Sequence, residues 1–220
     1  MTVNKKIKNA KTADFDGVKL KSGLEKIIYK ALKEEHIEFQ YEGMTFNLSG
    51  GVIPKKPFYV RTKTKKFHLE MSPIRPITYT PDFTFNLNGI FVIVEAKGFC
   101  NDVYPVKRNL FRKLLESFPT PVMFFEVKSK RELMEALDIV KKEGKLIEKI
   151  REYTKSMPAK DLPACNKAIE ARDYDLLLEL VDSRIARMEK QAQKDSNVCI
   201  PENLFKLFGI LTDLTNEETI

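Results

Sequence analysis

The residues best suited to chemistry lie in two short stretches joined by a turn. Tyr79-Thr80-Pro81-Asp82-Phe83 is followed, past Asn88-Gly89, by Phe91-Val92-Ile93-Val94-Glu95-Ala96-Lys97-Gly98. Side chains alternate along a strand, so Glu95 and Lys97 share one face. Asn-Gly between apolar runs is a strong hairpin signal, and a hairpin folds Asp82 back toward that face. Two carboxylates and an ammonium at the end of an apolar strand are costly to bury unless they are paired or hold a metal. Mg²⁺ takes oxygen ligands, commonly one or two carboxylates, with water and phosphate oxygens completing the shell. The chemistry expected is therefore magnesium-dependent phosphodiester hydrolysis, with Lys97 facing the attacking water and the phosphate. Pro-Asp alone is a common turn dipeptide and Glu-x-Lys alone a common surface pair; only their joint spacing carries the reading.

A third carboxylate, Glu25, has two readings that spacing does not separate. Ser22-Gly23-Leu24-Glu25 fits the capping box of a helix start. Equally, Glu25 flanks the apolar stripe Leu24, Ile27, Ile28, Ala31, Leu32 and could reach the metal. Lys107 and Arg108 fall in the first turn of a helix after Glu-x-Lys, where exposed N–H groups favour anions. The plainer view is a solvated basic face shared with Arg112 and Lys113, and Tyr104 reads as a partly buried aromatic. Between Ser49 and Lys66 stand Lys55, Lys56, Arg61, Lys63, Lys65 and Lys66, with Phe58 and Tyr59 among them and no acid. One-sided clustering of this kind suggests a DNA-gripping hairpin or loop, against the alternative of a loop kept from aggregating by charge.

The bulk numbers restrict the class. A chain of 220 residues with 43% apolar and 31% charged residues is globular, one domain or one with an appendage. Its formal charge of +7 favours a polyanionic partner. Two histidines, and three scattered cysteines at Cys100, Cys165 and Cys199, argue against a zinc site, a histidine-based nuclease and a disulfide framework. No Gly-rich phosphate loop is present. No apolar run reaches the length of a membrane span, and Met1 to Asp14 is too polar for a signal peptide, so a cytoplasmic location and no membrane partner are expected.

These features need a scaffold. Residues 1–16 read as a basic flexible arm. A helix is predicted over 22–35 and a strand over 37–48. Further strands are predicted over 67–71, 78–87 and 90–94, a helix over 102–118, a strand over 121–127 and a helix over 130–142. The order suggests an α/β core over residues 17–143, a mixed central sheet flanked by helices. Residues 144–220 read as a helical appendage, with helices over 146–157 and 174–193 and breaks at Pro158 and Pro163. Nothing in it reads as chemistry, which leaves it as a surface for a protein partner.

The Asp…Glu-x-Lys arrangement resembles the PD-(D/E)XK nuclease superfamily. Within it the chain is similar to the phage endonuclease I family of Holliday-junction resolvases. The resemblance is carried by Ser22-Gly23-Leu24-Glu25, Phe39-Gln40-Tyr41-Glu42, Thr78-Tyr79-Thr80-Pro81-Asp82-Phe83, and Asn88-Gly89-Ile90-Phe91-Val92 leading to Glu95-Ala96-Lys97-Gly98, in the family's order, roughly over residues 18–100. It implies a restriction-endonuclease-like core in which Glu25, Asp82 and Glu95 are metal ligands and Lys97 is the catalytic lysine. The mechanism that follows places one Mg²⁺, replaceable by Mn²⁺, on Asp82, Glu95 and the backbone carbonyl of Ala96, with Glu25 assisting a second. In-line attack would leave a 5′ phosphate. The family forms an intertwined homodimer that grips four-way DNA junctions, implying recombination chemistry in a bacterial or phage-infected host cell. Two alternatives stand beside this one: a duplex-cutting nuclease of restriction or transposition type, and a non-catalytic DNA-binding module on the same fold.

Overall fold

A computed structural model describes residues 12–61, 63, 66–98 and 103–217. Most of the expected basic arm, together with Lys65, Cys100 and Asp102, lies outside the described residues. The elements run β1 (Ala13–Phe15), β2 (Val18–Leu20), α1 (Gly23–Glu34), β3 (Phe39–Tyr41), β4 (Phe46–Ser49), β5 (Phe58–Arg61), β6 (Phe67–Glu70), β7 (Ile77–Tyr79), β8 (Phe83–Leu87), β9 (Ile90–Ala96), α2 (Tyr104–Leu115), β10 (Val122–Val127), α3 (Lys130–Thr154), α4 (Leu162–Ala171), α5 (Tyr174–Ala192) and α6 (Glu202–Glu217). Among the described residues no helix is long and apolar enough to cross a membrane.

The α/β class and the mixed sheet are as expected. A four-stranded sheet has the order β10-β9-β8-β3. β3 runs antiparallel to β8. Asn88 and Gly89 join β8 to β9 with φ of 51° and 77°. Both central residues at positive φ make the tight turn whose twist suits a hairpin. The N–H groups of Phe91 and Lys97 donate to the carbonyls of Pro121 and Val127, each at 2.9 Å, so β10 lies parallel to β9. Ile90, Val92, Ile93 and Val94 are all within 1% of full burial. An unbroken apolar run is what a strand covered on both faces requires.

Several boundaries differ from the sequence expectation. The strand expected over 37–48 is two strands in different sheets, β3 and β4, because Glu42 takes φ of 46° and turns the chain. The strand expected over 78–87 likewise divides into β7 and β8 around Thr80-Pro81-Asp82. Proline has no N–H for a ladder, which ends β7 there. Ala13–Phe15 are not part of a loose arm: they pair with β2 across the Asp16-Gly17 turn. The boundary expected at 143/144 falls inside α3, which runs unbroken from 130 to 154. Gly144 does not end that helix; it admits Asn88, whose Cβ would stand 2.4 Å from any Cβ placed at 144. The helical region contains two helices beyond those expected, α4 and α6.

The chain forms two compact units. One comprises residues 1–85, 93–118 and 124–130; the other comprises 86–92, 119–123 and 131–220. The first has an aromatic core. Phe111, fully buried, meets Tyr79, Phe46 and Phe124 at centroid distances of 4.6, 4.9 and 5.3 Å. The second is aliphatic: Leu177 and Val181 of α5 and Leu204, Leu207 and Leu211 of α6 are all fully buried.

Candidate active site

The loop after β7 and the end of β9 bring the predicted residues together. Asp82 stands just before β8, and its Oδ2 accepts a hydrogen bond from the Ala96 N–H at 2.8 Å. That bond ties the Pro-Asp turn to the Glu-x-Lys strand. The Asp82 carbonyl accepts from the Glu42 N–H at 2.8 Å, joining the turn after β3 to the same point. Glu95 is 6% exposed. Its Oε2 accepts from the Tyr79 hydroxyl at 2.7 Å, and its Oε1 lies 3.5 Å from Lys97 Nζ. Lys97 Nζ also sits 4.1 Å from the centroid of the Tyr104 ring. Carboxylate on one side and aromatic face on the other hold the ammonium in place.

Both acids are biased toward the neutral form. Burial pushes the Asp82 carboxyl up to about 8, with the negative charges of Glu95, Glu25 and Glu42 adding to the shift and the Ala96 N–H opposing it. Burial also raises Glu95, against the opposing hydrogen bond from Tyr79 and the charge of Lys97, while Glu126 adds repulsion. A half-buried carboxyl beside a buried one, both resisting ionisation, is a usual mark of a functional site.

Glu25 satisfies both of its readings in part. Its N–H donates to Ser22 Oγ at 3.1 Å, and the Ser22 hydroxyl donates to Glu25 Oε1 at 2.8 Å, so the helix cap is formed. Its Oε2 accepts from the Lys21 N–H at 2.8 Å and from the Tyr41 hydroxyl at 2.6 Å. It is 6% exposed and close enough to raise the Asp82 carboxyl. Both oxygens are therefore engaged by protein donors. Among the described residues no three Asp, Glu, His or Cys side chains converge as a metal cluster. The donors that suit a hard dication are the pair Asp82 and Glu95. Asp82 keeps Oδ1 clear of the Ala96 bond, and the mutual repulsion of the pair is what a dication would relieve.

A cavity of about 370 Å³ opens over Glu95 and Lys97, lined also by Thr80, Tyr104 and Lys107, with Lys21 and Glu42 at its edge. Lys107 Nζ bonds the Thr78 carbonyl at 3.0 Å, so this lysine of α2 stands at the cavity. Arg108 turns to Glu126 instead, at 3.1 Å. Lys55, Lys56, Arg61, Lys63 and Lys66 are all exposed and do not line the cavity.

Sequence reasoning missed the supporting layer. Tyr79 holds Glu95, and Glu126 on β10 accepts from the Tyr104 hydroxyl and from Arg108. Tyr41 holds Glu25, and Lys21 pairs with Glu42. Tyr79 could have been found from its place beside Asp82. Glu126 leaves no local signal, because only the parallel pairing of β10 with β9 brings its charge to bear on Glu95. No protein-family model matches this chain, and no curated protein or solved structure matches it.

Proposed function

We propose that the chain is a magnesium-dependent endonuclease that hydrolyses DNA phosphodiester bonds, with branched DNA such as a four-way junction as its substrate. One observation carries the reading: the half-buried Asp82, bonded to the Ala96 N–H, and the buried Glu95 meet at one strand end, with an ammonium 3.5 Å from Glu95. That is the donor set of the PD-(D/E)XK nucleases that the sequence resembles, on an α/β fold with a mixed sheet.

Asp82 and Glu95 would hold the cation. The Ala96 carbonyl leaves the strand on the same side as its N–H, which faces Asp82, so it suits a third oxygen. Glu25 assists from behind, fixing the start of α1 and adding charge near Asp82. When bound, Mg²⁺ or Mn²⁺ supplies Lewis acidity to the phosphate and a more acidic water. Lys97, steadied by Glu95 and the Tyr104 ring, points N–H groups at the attacking water and stabilises charge developing on the phosphoryl oxygens. Lys107, held at the Thr78 carbonyl, adds positive charge at the cavity mouth. Attack in line expels the 3′ oxygen and leaves a 5′ phosphate. A homodimer would set two such sites on one junction.

The test is cleavage of labelled junction, flap, nicked and linear duplex DNA with and without Mg²⁺. Branched forms should be cut first, and Asp82→Ala, Glu95→Ala and Lys97→Ala should each abolish cutting while DNA binding persists. Near-normal cutting by Glu95→Ala would end the proposal. Equal cutting of linear duplex would move the substrate to the restriction or transposition class.

A further inference from the structure

The segment from Gly50 to Ile77 holds seven basic residues against one acid, Glu70, and so supplies +6 of the chain's formal +7. Within it β5 and β6 form a two-stranded ribbon in which Tyr59 opposes Leu69 and Arg61 opposes Phe67. Directly opposed residues of an antiparallel pair stand on one face. That face presents Tyr59, Phe67 and Leu69, with the Arg61 guanidinium 4.9 Å from the Phe67 ring centroid. The three apolar side chains are 58%, 63% and 56% exposed.

A two-stranded ribbon is marginally stable alone in water, and exposed apolar clusters rimmed by charge mark interaction sites. The charge indicates what covers this one. A second copy of the segment would set +6 against +6, whereas a polyanion complements it. An anionic polymer that also offers flat apolar groups is a nucleic acid. Its bases present their faces only where strands are unpaired, since a duplex turns base edges outward.

We propose that this ribbon face is a stacking platform for unpaired DNA bases. Tyr59 and Phe67 take base faces, and Arg61 with the neighbouring lysines engages the phosphates. The proposal rests on the nuclease reading only for the identity of the polymer. It assigns the ribbon to strands leaving a branch point, apart from the carboxylate site, whose cavity no ribbon residue lines.

The chain has no tryptophan, so a Tyr59→Trp variant carries a single fluorescent reporter at the platform. The full-length variant is titrated, without divalent metal, with oligodeoxythymidine and with a blunt duplex of equal length. The single strand should quench the tryptophan strongly and the duplex weakly. By anisotropy, Tyr59→Leu and Phe67→Leu should each weaken single-strand binding by about 5- to 150-fold, the equivalent of roughly 1–3 kcal/mol per stacked base, with little change for duplex. Tyr59→Phe should bind as the parent does, which separates loss of the aromatic face from loss of the ribbon. Leucine variants that bind as well as Tyr59→Phe, or equal losses for single strand and duplex, would overturn the platform. So would a parent dimer that Tyr59→Leu dissociates in sedimentation, since that assigns the face to a second copy. Quenching by single strands with no Mg²⁺-dependent cleavage of any DNA would sink the nuclease reading and leave the platform standing. Cleavage without a single-strand preference would do the reverse.

Discussion

The two units of this chain solve the problem of burial in opposite ways. Among the described residues the two most enclosed carboxylates, Glu25 and Glu95, both belong to the first unit. Their neighbours there are aromatic rings, tyrosine hydroxyls and a third carboxyl, Asp82. In the second unit the helices α5 and α6 pack together and fully bury Leu177, Val181, Leu204 and Leu211, and the ionic contact of Glu143 with Arg172 stays partly exposed. The second unit puts its enclosed volume into apolar packing. The first gives part of that stability up to hold acids that resist ionising. Charge-rich sites of this kind are usually retained for function at a cost in stability.

The comparison can be broken by substitution. The largest effects expected are on cleavage: Lys97→Ala should abolish it, a loss of at least about 10²- to 10³-fold in kcat, as loss of one transition-state donor gives elsewhere. Glu95→Gln should remove cleavage and yet raise the thermal midpoint of the metal-free protein; a lower midpoint would mean that Glu95 is a structural anchor. Leu177→Ala in the second unit should do the opposite to stability, lowering it by about 2–5 kcal/mol in denaturant unfolding. A cost well under that would show the helical unit to be loosely packed.

Smaller effects sharpen the contrast. Gly144→Ala improves helix propensity but drives a Cβ to 2.4 Å from that of Asn88, so stability should fall. Overpacking of this kind costs about 1–3 kcal/mol, and Asn88→Gly in the same chain should recover part of it. The pH dependence is the gentlest. The folded Asp82 carboxyl is raised to about 8, above its unfolded value, so its contribution to stability is present at low pH and is lost as pH climbs toward 8. The thermal midpoint of metal-free protein should therefore fall between about pH 5 and 8, a slope that Asp82→Asn removes and Mg²⁺ flattens. A flat profile in the parent protein would show Asp82 to be solvated.

How much of this could be read beforehand differs by residue. Asp82, Glu95 and Lys97 were legible because a two-residue turn and strand alternation are local rules. The capping role of Glu25 was legible too, and the structure adds its closeness to Asp82, which spacing left open. The expected strands over 37–48 and 78–87 were too long because apolar alternation continues through Glu42 and Thr80, where the backbone leaves its sheet. Gly144 looked like a boundary because glycine usually ends helices; here it admits a neighbouring side chain.

Composition, charge and local pattern by themselves determined the α/β class, the basic segment and the acid-acid-lysine grouping at the end of a buried strand. These depend on properties that neighbours in the chain share. Only the tertiary structure decided that Tyr79 would hold Glu95, that Tyr104 would back Lys97 while Glu126 held Tyr104, and that the basic segment would set Tyr59 and Phe67 on one exposed ribbon face. Each of those depends on how separate elements, strands and the helix α2 alike, come together in space, and the period of a single strand carries no record of what it will meet.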